Sequence, residues 1–107
     1  MALFIEIKAA DGTESRTRVE PGNNRFSVKS GDSYRIVDEA TGLSPVNTSV
    51  KRLDNNLLVT GLESPGSGEP TRVELVEFYS VCSVGSPCQV EVQTAASASP
   101  VIVTSSS

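Results

Sequence analysis

The chain has no histidine and no tryptophan. Histidine titrates nearest neutral pH and is the commonest metal ligand, so its absence removes the usual general base and most zinc and iron chemistries. GxSxG, the P-loop and the paired-glycine dinucleotide fingerprint are also missing. One serine lies between glycines, at Gly66-Ser67-Gly68, in a proline-flanked stretch with no histidine to activate it. No apolar run approaches the roughly 20 residues of a membrane span. Nor do lysine and arginine cluster. Nine basic residues are scattered among thirteen acidic ones, for a net charge of −4. That balance argues against nucleic acid and anionic membrane surfaces, which both reward concentrated positive charge. These absences lead us to expect no enzyme, no cofactor and no metal site.

Three Phe and two Tyr are the only aromatics among 107 residues. The length suits one small domain, and its core must be built mainly from Val, Leu and Ile. The opening residues 1–14 lack the basic start, long apolar middle and cleavage site of a secretory signal. Some exported proteins carry their signal at the C-terminus instead.

The stretch Val50–Tyr79 organises the chain. Runs Val50–Leu53, Leu57–Leu62 and Arg72–Tyr79 alternate as strands do, with Asp54-Asn55-Asn56 as a tight turn and Ser64–Pro70 as a Pro/Gly loop. The expectation is a meander of three adjacent antiparallel strands. Asp54, Asn55 and Asn56 also offer oxygen ligands, but a hairpin turn accounts for them without calcium.

Before the meander, Ala2–Lys8 alternates with period two, and Asp11-Gly12 is a preferred type I′ turn pair. Thr13–Glu20 reads as the returning strand, polar enough for a sheet edge, with Val19 its one strong apolar residue. Pro21-Gly22-Asn23-Asn24 reads as a turn, then Phe26 and Val28 and then Tyr34, Ile36 and Val37 as short strands. The fold class is all-β, a small antiparallel sandwich or barrel-like domain with a central meander. Leu3, Ile5, Val28, Ile36, Leu58, Val73, Leu75 and Phe78 are its expected core. Glu74, Glu77, Asp38 and Glu39 are read as a solvated face. The β-domain is assigned to residues 1–93, with 94–107 an Ala/Ser/Thr-rich linker or terminal strand segment.

Cys82 and Cys88 are the only cysteines. Ser83-Val84-Gly85-Ser86-Pro87 between them lets the chain reverse and bring the sulfurs within bonding reach. A disulfide is the expected reading, and it requires an oxidising compartment. The alternatives are two buried free thiols in a reducing compartment, or a metal site, which two cysteines without histidine support poorly.

The segments Lys51-Arg52-Leu53-Asp54-Asn55-Asn56-Leu57-Leu58-Val59 and Val73-Glu74-Leu75-Val76-Glu77-Phe78-Tyr79 carry a resemblance. Together with Cys82 and Cys88 they resemble the N-terminal prefix-like domain of large Bap-type bacterial biofilm-associated surface adhesins. In that family a basic residue and an Asp/Asn pair precede one apolar strand, a charged-apolar strand ends in an aromatic pair, and some members add a cysteine pair. The match covers about 40 residues and leaves the first 45 aside. It implies type I secretion through a C-terminal signal, a location outside the cell or on the bacterial surface, and a non-enzymatic structural role in attachment and biofilm formation. Partners it implies are other adhesin copies or cell-surface components. Two other readings stay open, a carbohydrate-binding β-module and a virion or tail structural domain.

Overall fold

A computed structural model describes residues 3–62, 70–82, 85, 87–96 and 99–105. The first alternating run forms β1 (Leu3–Lys8), with Leu3 and Ile5 buried and Lys8 exposed. It returns as β2 (Glu14–Val19), whose only buried residue is Val19. The connection is not the expected two-residue turn. Ala9 N donates to Thr13 O at 2.8 Å and Gly12 N to Ala9 O at 2.9 Å, so three residues form the loop. Gly12 alone is left-handed there, at φ 91°. Type I turns closed by a left-handed glycine have this form, and Asp11 serves by accepting from Thr13 N at 2.9 Å.

The remaining strands are β3 (Gly22–Ser27), β4 (Ser33–Asp38), β5 (Ser49–Leu53), β6 (Asn56–Thr60), β7 (Thr71–Val76), β8 (Gln89–Val92) and β9 (Val101–Thr104). They form two sheets, β2-β1-β4-β8-β9 and β3-β7-β6-β5. The fold is a small all-β sandwich. Its meander is as expected: β5, β6 and β7 are adjacent and antiparallel. Two pairings elsewhere are parallel, β3 with β7 and β4 with β8, so both sheets are mixed.

Two elements depart from the sequence reading. Gly22-Asn23-Asn24 is strand rather than turn, because it hydrogen-bonds along β7 in parallel register. Asn24 fixes that entry: its Nδ2 donates to Glu20 O at 2.7 Å and to Arg72 O at 3.0 Å. The third meander strand stops at Val76 instead of Tyr79. Glu77 is left-handed at φ 61°, and Phe78–Val81 then make a single helical turn, α1. Of the two readings of the tail, the terminal strand segment is the one formed over Val101–Thr104, where β9 pairs with β8 and joins the first sheet. The Ser64–Pro70 loop, Gly66-Ser67-Gly68 included, lies outside the described residues apart from Pro70.

Ile5, Tyr34, Ile36 and Val90 from one sheet meet Leu57, Val59, Val73 and Leu75 from the other, with Phe78 and Leu62 among them. Each such side chain contributes about 1.5–3 kcal/mol on burial. All eight expected core residues are buried. Leu58 is buried outside the central cluster, because the two-residue period gives that cluster to Leu57 and Val59.

Candidate functional site

Cys82 follows α1 and Cys88 precedes β8. Because β7 and β8 belong to different sheets, the segment between them crosses the sandwich. The two cysteines form a disulfide, with Cα atoms 5.5 Å apart. Gly85 and Pro87 in the spacer are exposed, but the cysteines themselves are buried, Cys82 at 3% exposure and Cys88 at 0%. The bond therefore ties the end of the meander to the opposite sheet rather than to a neighbouring strand.

The segment Lys29–Asp32 surrounds the bridge. The Lys29 carbonyl oxygen lies 3.1 Å from Cys88 Sγ. Ser30 Oγ donates to Val81 O at 2.9 Å, and Gln89 N to Asp32 O at 3.1 Å. On the other flank Ser105 N donates to Cys88 O at 3.0 Å, and Cys88 N to Ser105 Oγ at 2.9 Å. Backbone that cannot join a ladder is thus paired locally, as buried amides require.

Next to the bridge is a buried polar pair that the sequence reading passed over. Tyr34 Oη donates to Asp32 Oδ2 at 2.8 Å, and Lys29 N donates to the same oxygen at 3.3 Å. Burial, then the bond to Asp32, pushes the Tyr34 phenol well above its usual range. A phenol held protonated is a hydrogen-bond donor at any ordinary pH, which suits a structural tether. The signal in the sequence was Asp32 and Tyr34 two residues apart, sharing one strand face at the edge of a turn.

The carboxylates read as solvated are partly otherwise. Asp38 is 7% exposed and its Oδ1 accepts from Ala40 N at 2.8 Å, closing the turn after β4. Glu74 accepts from Asn56 Nδ2 at 2.6 Å and pairs with Arg25 Nε at 3.3 Å. Glu39 and Glu77 are exposed. Asp54, left-handed at φ 55°, occupies a two-residue hairpin between paired Leu53 and Asn56. Among the described residues no three acidic, cysteine or histidine side chains gather as a metal site.

An open groove of ≈ 770 Å³ runs across the outer face of the five-stranded sheet. One row of that face carries Arg16, Glu6, Arg35 and Glu91 on successive strands, fixed by the pairing register. Glu6 lies 4.0 Å from Arg16 and 3.9 Å from Arg35. Arg35 also donates to Gly42 O at 3.0 Å. Alternating charges like these neutralise one another and leave little field to draw a charged ligand. No open aromatic face lines the groove either. Tyr34 is 2% exposed, and the neighbouring Phe4 ring is covered by the Arg16 guanidinium at 4.0 Å. Sugar recognition by ring stacking has no platform here.

Comparison with known proteins gives no matching family model, no matching curated protein and no matching solved structure.

Proposed function

We propose that the domain is a non-enzymatic structural module of a secreted bacterial surface adhesin, acting in attachment and biofilm formation. The observation that carries this reading is the buried Cys82–Cys88 bridge between the two sheets. A reducing cytosol keeps such thiols apart, whereas the cell exterior preserves the bond. The path of the chain supports the same reading. β1 and β4 are antiparallel, β4 and β8 parallel, β8 and β9 antiparallel, so β1 and β9 run in the same direction. The chain enters the first sheet at one pole and leaves it at the other, which suits a module strung in line with others. Its groove, with charges neutralised and the lining Tyr34 ring buried, favours a scaffold over an enzyme or a sugar-binding module.

The test is made on bacteria that produce the parent protein. Antibodies to the domain should label intact cells, and deleting the domain should reduce attached biomass without slowing growth. Labelling that appears only after permeabilisation would sink the reading.

A further inference from the structure

Among the described residues the sandwich has four sheet edges, β2, β9, β3 and β5. Three carry charge: Glu14, Arg16 and Arg18 on β2, Arg25 on β3, Lys51 and Arg52 on β5. The fourth, β9, reads Val-Ile-Val-Thr. It has no charge, no proline and only β-branched residues, the composition that pairs edge to edge unless something blocks it. Val101 is 56% exposed and Ile102 52%. They occupy opposite faces, Val101 beside the core-facing Val92 and Ile102 beside Glu91 of the outer row.

The phase of the ladder decides which backbone groups look outward. Ser105 N bonds Cys88 O in register with the β8–β9 pairing. Counting in twos, Val103 and Val101 turn their backbone groups to β8, and Ile102 turns its own to the open edge.

We propose that this edge binds a second copy of the chain, β9 against β9 in antiparallel register across a two-fold axis at Ile102. The two five-stranded sheets then become one of ten strands. A two-fold normal to the sheet preserves its faces, so only residues of equal parity can stand opposite each other. Ile102 meets Ile102 of the second copy, and Val101 meets Val103 of the second copy. The Ile102 amide and carbonyl of each copy satisfy those of the other. Charge selects the same occupant. A charged strand of either sign finds no counter-charge on β9, whereas two copies with a net charge of −4 each meet here along an edge that carries none. The contact is self-complementary, so assembly closes at two. It does not depend on the adhesin reading.

The test is the mass of the oxidised 107-residue chain by light scattering from about 1 µM to 1 mM, with hydrogen exchange at the Ile102 amide. Mass should rise from 11.3 kDa to twice that value and stop, and exchange at Ile102 should slow in step. Ile102→Lys places like charges directly opposite each other, and Ile102→Pro deletes the outward N–H while sparing the bonds to β8. Each should raise the dissociation constant at least about tenfold, whereas Leu53→Lys on the β5 edge should leave it unchanged. Circular dichroism checks that each variant folds, and if the proline variant does not, the lysine variant decides. A chain that stays monomeric, one that grows past two copies, or a dimer indifferent to a folded Ile102 variant would overturn the proposal.

Discussion

The two poles of the sandwich are closed by different means. Where β1 ends and β8 begins, residues 77–88 cross from β7 to β8 by way of one helical turn, and a disulfide with a buried Tyr–Asp pair secures them. Where β1 begins and β8 ends, residues 39–48 cross from β4 to β5 on hydrogen bonds. Asp38 N donates to Leu43 O at 2.8 Å, Ser44 Oγ to Ile36 O at 2.6 Å, and Ser44 N to Gln93 O at 2.6 Å. The ten-residue crossing is secured by hydrogen bonds, whereas the twelve-residue one adds a covalent bond to its own.

Phe78→Ala tests the covalent pole most severely. Phe78 is fully buried, packed edge-on to Tyr79 with centroids 5.0 Å apart, and truncation should cost about 3–5 kcal/mol. A melting temperature within a degree or two of the parent would show that the pole is held by the disulfide alone.

Gly61→Ala probes the hydrogen-bonded pole. Gly61 is left-handed at φ 76°, and a Cβ there would fall on the Asn47 carbonyl of the crossing loop. Left-handed strain of about 1–3 kcal/mol adds to that overlap. Chemical denaturation should register the loss, with hydrogen exchange rising first at Ser44 and Asp38. Uniform loss of protection across both poles would erase the distinction between them.

Replacing both Cys82 and Cys88 by Ser should cost about 2 kcal/mol and preserve the fold, because the closed loop is short. In the parent, denaturation without reductant should expose no reactive thiol. Two titratable thiols would remove the covalent half of the comparison and the main support for an extracellular module.

The smallest expected effect is that of Tyr34→Phe, about 1 kcal/mol at neutral pH, with Asp32 still held by Lys29 N. Its signature is the pH dependence. The folded phenol binds its proton more tightly than the unfolded one, so its contribution is complete below an ordinary tyrosine pKa of about 10 and is lost as pH climbs further. Alkaline unfolding curves should flatten in the variant, and an unchanged slope would place the proton elsewhere.

The contrast between poles also marks what could be read from the chain. The meander was legible because Asp54-Asn55 turns in two residues and β5, β6 and β7 follow one another. The core was legible for the same reason, since alternation fixes which side chains share a face. Parallel pairing leaves no such trace. β3 and β7 lie side by side although Asn24 and its partner Val73 are 49 positions apart, and Gly22-Asn23-Asn24 imitates a turn. The helical turn at Phe78 was hidden for a local reason. Asn56 Oδ1 accepts from Glu77 N at 2.8 Å and Asn55 O from Tyr79 N at 2.9 Å, so a distant turn captures the amides of a run that looks like strand. The cysteine pair was legible as a pair, but its position between sheets depended on that unseen change of direction.

The shared direction of β1 and β9 has a mechanical consequence. Tension applied at the two ends of the chain acts along the strands, so each ladder is loaded in shear and its hydrogen bonds bear the load together. β1 is gripped on both sides, by β2 and β4 over all six residues. Within a single chain β9 is held on one side by four pairings to β8. Under load β9 slides first and gives up slack, while the disulfide keeps α1 fastened to the root of β8. The tail strand is therefore the yielding end of a domain whose entry strand is the anchored one.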